Sequence, residues 1–270
     1  MSSIITIATW NVNSVKARLP NLLQWLQEKS PDIVLLQEIK TIEDTFPTEA
    51  IEDLGYNLAI KGQKTYNGVA ILSRFPIDQD SIIRQLPGDD EDSQARYIEA
   101  VISLPGEAIR VTSVYVPNGN AVDSDKFAYK MAFFERLHQH CQTLLTYDEK
   151  LVVGGDYNVA PQDIDVYNPN HLRETVCFHP DEQAHFQSLL HLGLTDAWRA
   201  CHPNAQQFSW WDYRGGSWQN NKGMRIDFLL LSAQAADCMT DCDIDDATRG
   251  QEKASDHAPV WCKLETSSTQ

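Results

Sequence analysis

Short apolar runs that end at polar residues recur along the chain and predict β-strands. The first covers residues 4–13, and residues 15–28 after it carry leucines at helical spacing, with a proline suited to the first turn. A second strand is predicted at residues 32–37. A strand, a helix and a strand in this order are typical of α/β proteins. The same criteria predict further strands at residues 58–61, 69–72, 97–103, 109–116, 151–153, 224–231 and 258–264, and helices at residues 46–54, 127–145 and 181–192.

The segment from residue 163 to residue 179 has no clear hydrophobic period and is predicted to be a long loop, a kind of segment that often carries function. No stretch has the composition of a linker, so we expect a single domain over residues 1–270. The polar tail, residues 266–270, is expected to fray.

Polar residues stand where the apolar runs end, as residues 151–161 illustrate. An apolar run and two glycines lead to Asp156 and Asn158, whose alternation is expected to turn both side chains to one side of an extended backbone. Such an oxygen-rich pair can orient a water molecule or hold a hard cation such as Mg²⁺. Residues 9–13, 35–38 and 255–257 show similar polar ends. Four such ends predict one site at which they converge.

The charge of the chain limits how it can bind nucleic acid. Its 38 acidic residues outnumber the 22 basic ones and give a net charge of −16, which argues against a large nonspecific nucleic-acid surface. An enzyme with one local basic face is compatible with this balance. The six cysteines lack the paired spacing of zinc sites and predict buried, reduced thiols. Because no signal-like leader and no run of 18 apolar residues occurs, we expect a cytoplasmic protein that does not enter a membrane.

Eight motifs in register resemble one family of enzymes. They are TWNVN, LLQEIK, GQKTYNGVAIL, YVPNG, GGDYNVAP, FSWWDYR, GMRIDFLLL and SDHAPV, and the match that they belong to covers residues 4–264. In this order they are similar to the exonuclease III family of apurinic/apyrimidinic endonucleases, within the DNase I-like superfamily of endonucleases, exonucleases and phosphatases. The resemblance implies an α/β fold: a four-layer α/β sandwich in which two mixed β-sheets pack face to face, with helices on the outer faces.

The activity that the resemblance implies is hydrolysis of DNA at damaged sites. It is Mg²⁺-dependent cleavage of the phosphodiester 5′ of an abasic site, with Mn²⁺ as a possible substitute for Mg²⁺. Activities at 3′ ends (3′→5′ exonuclease, 3′-phosphatase and 3′-phosphodiesterase) are implied as well. The expected partner is double-stranded DNA with abasic sites or blocked 3′ ends, bound by a monomer.

The resemblance also implies which residues hold the metal. Glu38 matches the metal-binding glutamate of the family, and Asn11 and Asp256 match positions that complete or support the metal shell. Asp156, Asn158 and His257 are further candidate metal ligands. From the residues alone, Asn11 is as compatible with a turn, and Glu38 with an exposed carboxylate at a strand end.

Catalytic roles follow from the same resemblance. Asp156 and Asn158 match the pair that positions and deprotonates the attacking water, although an Asx turn would also explain them. His257 either donates a hydrogen bond to the scissile phosphate or accepts the proton of the water, and Asp227 is expected to fix its tautomer and raise its pKa. Tyr115 is expected to bind a phosphate oxygen; otherwise it is a half-buried strand aromatic.

The expected DNA contacts fall into three groups: a phosphate-binding loop, separate phosphate contacts, and an apolar pocket for the flipped-out sugar. Each polar member alone is as readily a solvated side chain, and the apolar members are as readily core residues. The loop comprises Lys64, Tyr66, Asn67 and Gly68; the separate contacts are Arg96, Asn118 and Lys126; the pocket comprises Trp210, Met224 and Ile226.

Two other functions compete with a DNA repair nuclease. A phosphatase or phospholipase of the same superfamily, acting on small phosphoesters, would use the same metal and histidine chemistry. The motifs WWDY and GQKTYNG favour the DNA-acting branch instead. A DNA-binding scaffold without activity is disfavoured, because every catalytic position carries a competent side chain.

Overall fold

The computed structural model describes residues 3–266. Of the tail that was expected to fray, Thr266 lies in a strand and residues 267–270 lie outside the described residues. The strands are β1 (Ser3–Asn11), β2 (Ile33–Gln37), β3 (Asn57–Lys61), β4 (Val69–Ser73), β5 (Tyr97–Leu104), β6 (Glu107–Tyr115), β7 (Leu151–Asp156), β8 (Thr195–Asp196), β9 (Trp210–Trp211), β10 (Gly223–Met224), β11 (Asp227–Leu231), β12 (Met239–Ile244) and β13 (Val260–Thr266). The helices are α1 (Leu19–Lys29), α2 (Thr48–Glu52), α3 (Asp125–Leu145), α4 (Pro169–Leu172), α5 (Pro180–His191), α6 (Ala197–Cys201) and α7 (Ala233–Ala236).

Two mixed sheets carry most of the strands. One has the order β12-β13-β1-β2-β4-β3 and the other β5-β6-β7-β11-β8, while β9 and β10 form a separate two-stranded ribbon. Each large sheet has one parallel pair, β1 with β2 and β6 with β7, and its other strand pairs are antiparallel.

Four layers result from how the sheets bury their apolar faces. The central core joins the facing sides of both sheets, with Ile7 and Ile71 from one and Val111 and Leu229 from the other. Helix α1 covers the outer face of the first sheet. Helices α3 and α5 cover the outer face of the second. This is the predicted four-layer α/β sandwich.

Two glycines let β7 pack closely against its neighbours beside the site described below. A Cβ atom on Gly155 would lie 1.9 Å from the carbonyl oxygen of Val114, and one on Gly154 would lie 2.4 Å from Cδ1 of Leu35. The clash at Gly155 is with backbone atoms and cannot be relieved by a side-chain movement, so β7 fits beside β6 only with glycine at this position, whereas at Gly154 the ends of two leucine side chains would have to shift.

Helix α1 begins four residues later than the hydrophobic pattern predicted. The backbone N–H groups of Ser14 and Val15 donate to the carbonyl oxygens of Glu38 and Ile39, at 2.7 and 3.1 Å. Ser14 also has a φ of +89°. These residues are therefore held as a loop beside the end of β2, and the helix starts only at Leu19.

The apolar strand predicted at residues 224–231 is interrupted. The backbone N–H of Arg225 donates to the carbonyl oxygen of Asp165 instead of to a neighbouring strand. Its buried guanidinium binds the carboxylates of Asp165 and Asp196, each at 2.8 Å. This break separates β10 from β11, and β11 starts at Asp227.

The loop predicted at residues 163–179 contains a 3₁₀ turn, Asp163–Asp165, and the short helix α4. No helix among residues 3–266 is long and apolar enough to cross a membrane.

Candidate active site

The polar strand ends meet at one edge of the sandwich because of the strand directions. Asn11 ends β1 and Glu38 follows the parallel strand β2. Strand β13 is antiparallel to β1, so the residues that precede it, Asp256 and His257, reach the same edge. The segment 255–257 therefore converges with the others by preceding a strand, and the prediction that it ends a strand is wrong.

The second sheet brings its own carboxylates to this edge. Asp156 ends β7 and pairs in register with Asp227, the first residue of the antiparallel strand β11. Tyr115 ends β6 and pairs with Asp156 on the other side. Asp227 thus lies at the start of β11, and the prediction that it lies in the interior of a strand over residues 224–231 is wrong.

Three ionisable side chains from both sheets form a tight cluster. Ligand atoms of Glu38, Asp156 and His257 all lie within 4.8 Å of one another. The amide nitrogen of Asn11 donates to both carboxylates, to Oε1 of Glu38 and Oδ2 of Asp156, at 2.9 Å each. Two carboxylates held this way offer the oxygen ligands that hard cations prefer.

Asp256 stands beside this cluster rather than within it. Asn13 and Trp210 donate to its two carboxylate oxygens, at 2.9 and 3.1 Å. Lys40, which the sequence analysis did not single out, lies 2.8 Å from Oε2 of Glu38. The position of Lys40, two residues after Glu38 in the motif LLQEIK, could have indicated that it belongs to the site.

Asn158 follows Asp156 through an Asx turn. Its backbone N–H donates to Oδ1 of Asp156 at 2.9 Å, and its φ is +50°. The expected extended backbone is therefore wrong, but both side chains still line the same cavity. The Asn158 side chain is fixed by donation to the carbonyl oxygen of Val116 and acceptance from Nδ2 of Asn118, at 3.0 and 2.9 Å.

His257 is held in one orientation by a buried carboxylate. Its Nδ1 lies 2.9 Å from Oδ2 of Asp227, which also accepts a hydrogen bond from Ser209 at 2.6 Å. Its Nε2 lies 3.8 Å from Oδ2 of Asp156. Ser209 is fully buried and was not found by sequence reasoning.

Burial and charge shift the titration of this cluster. Burial raises the pKa of Asp156 to about 7, against the opposing attraction of His257. Burial alone would lower the pKa of His257, but the carboxylates of Asp227 and Asp156 raise it to about 10. For Glu38, burial raises the pKa, and Lys40 together with the Asn11 hydrogen bond outweighs it, so the pKa lies below its usual value.

A cavity of about 440 Å³ opens over the cluster. Trp210, Met224 and Ile226 form part of its wall, so the three predicted pocket residues are together. They also pack against a small apolar cluster that includes Val166 and Phe178, which shows that they serve the core as well. Asp212, Arg214 and Cys177 line the cavity too and were not predicted to do so.

A second cavity of about 440 Å³ adjoins the first and shares Tyr115, Asn118 and Asn120 with it. Its lining includes Arg96, whose guanidinium lies 4.7 Å from the centre of the Tyr115 ring, and the exposed Lys126. Tyr66 and Asn67 line it as well.

Two members of the predicted phosphate-binding loop line neither cavity. Lys64 is exposed to solvent, and Gly68 has a φ of +90° and donates to the carbonyl oxygen of Ala95. Asn67 is buried, and its amide donates to Gln63 and Gln94 at 3.0 and 3.1 Å. These contacts show that the side chain of Asn67 stabilises the loop that carries it and connects this loop to Gln94.

Comparison with known proteins gives this arrangement a context. Residues 8–257 match the Endonuclease/Exonuclease/phosphatase family. The chain is 35% identical over 265 residues to exodeoxyribonuclease III of Haemophilus influenzae, covering 95% of this chain and 98% of that protein. The chain belongs to the Endonuclease/Exonuclease/phosphatase family.

Solved structures of family members have the same fold. A 3′ phosphatase from Neisseria, bound to a product DNA hairpin, superposes with a TM-score of 0.92 at 42% identity, covering 96% of this chain and 99% of that one. An AP endonuclease from Archaeoglobus fulgidus superposes with a TM-score of 0.89 at 36% identity, covering 96% and 98%. The resemblance, the fold class and the prediction of a hydrolase acting on DNA are thereby confirmed.

Proposed function

We propose that this family member is a metal-dependent DNA repair nuclease that hydrolyses the phosphodiester 5′ of abasic sites in duplex DNA. The observation that carries the proposal is the cluster of Glu38, Asp156 and His257 at the floor of a cavity with one apolar wall. Such a site combines hydrolytic chemistry with a pocket for a sugar that lacks its base.

The donor set fits a hard divalent cation. Glu38 and Asp156 would hold it, with Asn11 orienting both carboxylates, and their oxygen ligands favour Mg²⁺, with Mn²⁺ as a substitute. When bound, the cation would stabilise negative charge on the phosphate and the leaving oxygen. Lys40 supports this assignment because it keeps Glu38 ionised.

Protein groups would supply the proton transfers. Asp156, with Asn158 beside it, would orient the attacking water and accept its proton. His257, oriented by Asp227, would donate a hydrogen bond from Nε2 to a phosphate oxygen. Tyr115, between the two cavities, would bind another oxygen of the same phosphate.

DNA would lie across both cavities. The abasic sugar would enter the one walled by Trp210, Met224 and Ile226, while Arg96 and Lys126 in the other would bind a neighbouring phosphate. These cations support a local basic face on an acidic protein. The single domain, the monomeric state and the cytoplasmic location expected from the sequence stay predictions.

A second candidate is hydrolysis at 3′ ends. It is favoured by the 42% identity to a Neisseria protein described as a 3′ phosphatase. The same cluster can act on a terminal phosphate, which needs no flipped-out sugar.

One assay separates these functions. The protein would be tested, with Mg²⁺ and with EDTA, on a duplex with one abasic site, a recessed 3′ end, a 3′-phosphate end and an inositol phosphate. We expect metal-dependent cleavage of the abasic duplex and no release from the inositol phosphate. Action on the 3′-phosphate alone would assign the second candidate, and action on the inositol phosphate alone would refute a DNA repair role.

A further inference from the structure

A fully buried lysine lies directly behind the site. Lys130, on α3, is 0% exposed, as is the carboxylate of Glu182 with which it forms an ion pair. Neither residue lines the catalytic cavity, and neither belongs to the motifs that carry the resemblance. A buried charge needs a partner, and Glu182 supplies it.

The other two contacts of Lys130 are with the backbone of the site. Its ammonium donates to the carbonyl oxygens of Asn158 and Asn118, at 2.6 and 3.1 Å. These asparagines are also joined through their side chains, from Nδ2 of Asn118 to Oδ1 of Asn158 at 2.9 Å. One ammonium thus ties together the two loops that follow β6 and β7.

Both loops contain a residue with a positive φ close to Lys130. Asn158 has a φ of +50°, a left-handed conformation that is unfavourable for a residue with a side chain. Gly119, next to Asn118, has a φ of +92°, and a Cβ atom there would lie 3.3 Å from Cδ of Lys130. The loop after β6 therefore packs on the lysine stem itself.

Glu182 anchors the lysine to a rigid element. It is the third residue of α5, and its second carboxylate oxygen accepts a hydrogen bond from the backbone N–H of His179 at 3.0 Å. The carboxylate therefore caps the helix while it holds the ammonium. The ion pair of Glu182 and Lys130 therefore connects the start of α5 to both loops.

We propose that Lys130 is a positioning residue: held by Glu182, it fixes the backbone of Asn118 and Asn158 so that their amides and Asp156 keep a reactive geometry. Stability alone does not account for this arrangement, since a buried ion pair contributes little more than well-packed apolar residues of similar size. The inference rests on the proposed function, because it concerns the same site.

The main test replaces both charges at once, with Lys130→Met and Glu182→Gln in one variant. We expect a moderately lower melting temperature, because the buried carbonyl oxygen of Asn158 loses its donor. We also expect an unchanged KM for the abasic duplex and a kcat lower by about 10–100-fold, the effect of misplacing reacting groups by about 1 Å. A kcat equal to that of the wild type would overturn the proposal.

A conservative variant separates the effect on stability from the effect on kcat. Lys130→Arg keeps a cation with several donors but adds volume to a packed site, so we expect a lower melting temperature and a kcat within about threefold of the wild type. If the double variant does not fold, this variant alone tests the proposal, because a wild-type kcat at a lower melting temperature would support a positioning role. A kcat that falls in step with the melting temperature across both variants would show that Lys130 only supports the fold.

A matched control uses an ion pair far from the site. Arg110 binds the fully buried carboxylate of Glu99 at 2.7 Å, and neither residue lines the cavities around the cluster. The variant Arg110→Met with Glu99→Gln is expected to keep the wild-type kcat, and a loss equal to that of the Lys130 double variant would overturn the proposal. Absence of cleavage by the wild-type protein would instead refute the proposed nuclease function.

Discussion

Asp156 and Asp227 face each other in register on adjacent antiparallel strands, and His257 lies between their carboxylates. Its Nδ1 is 2.9 Å from Asp227, and its Nε2 is 3.8 Å from Asp156. The carboxylate of Asp227 also accepts a hydrogen bond from Ser209. The carboxylate of Asp156 accepts one from Asn11 and faces the cavity. The two aspartates therefore have different partners, and different roles are proposed for them.

The role of Asp156 can be tested by removing its basicity. Asp156→Asn keeps the shape of the side chain but cannot accept a proton, so kcat measured at saturating Mg²⁺ should fall by about 10²–10⁴-fold. Circular dichroism and a DNA-binding titration should show an unchanged fold and affinity. Turnover close to that of the wild type would assign the base to another group.

Glu38 is expected to determine how much metal the enzyme needs. Glu38→Ala removes an oxygen ligand, so the Mg²⁺ concentration for half-maximal activity should rise by about tenfold or more, and excess Mg²⁺ should partly restore the rate. The comparison variant is Glu43→Ala, an exposed carboxylate outside the cluster. A metal titration that coincides with the wild-type curve would rule Glu38 out as a ligand.

Asp227 and His257 are expected to act as one unit. Asp227→Asn and His257→Ala should each lower kcat, and the double variant should lose little more than the His257 variant, because residues that act together are not additive. The measurement is a double-mutant cycle on kcat. Losses that multiply would show that the two residues contribute separately.

The apolar wall is expected to select the substrate by shape. Met224→Trp should fill the cavity and suppress abasic incision by about 10–100-fold, while hydrolysis of a 3′-phosphate is less affected. Trp210→Ala should widen the cavity and reduce the preference for abasic over intact DNA. Equal loss of every activity together with a lower melting temperature would assign these residues to the core alone.

Glu99 gives a prediction about stability and pH. Burial raises its pKa, but hydrogen bonds from His140, Tyr97 and Arg110 outweigh burial, so the net pKa is lowered on folding. A lowered carboxyl pKa stabilises the fold above the unfolded-state pKa, about 4.3, and this contribution is lost as pH falls through the folded-state pKa. Urea unfolding should show that Glu99→Gln destabilises the protein at pH 7 and that the difference from the wild type shrinks toward pH 3. A difference that stays constant with pH would contradict this linkage.

The sequence predicted the elements that depend on local pattern. The apolar runs identified most of the long strands, and the eight motifs led to Glu38, Asp156 and His257, because each of these lies at or next to the end of a strand. The late start of α1 was missed because it depends on hydrogen bonds to β2, which no local pattern records. The left-handed backbone of Asn158 was missed because alternation alone suggested an extended chain.

Long-range ion pairs were the other part that the sequence could not predict. Lys130 and Glu182 are 52 residues apart, and each occupies a helical position where a charged residue is usually solvated. Arg225 likewise lies inside the run of residues 224–231 that the hydrophobic pattern predicts to be one strand. Lys130 and Glu182 are buried only because α3 packs against α5. Arg225 is buried only because the break between β10 and β11 brings it to the carboxylates of Asp165 and Asp196.

The absent side chain of Gly155 has a consequence for how this protein can vary. The two sheets each supply part of the reacting cluster, and a Cβ atom on Gly155 would lie only 1.9 Å from the carbonyl oxygen of Val114, which leaves no room for a methyl group between β6 and β7. A single-codon change to alanine there would therefore push the strands apart and displace Asp156, although it alters no ionisable group. In a library of random variants screened for lost DNA cleavage, inactive clones should recur at this position as often as at the ionisable residues themselves.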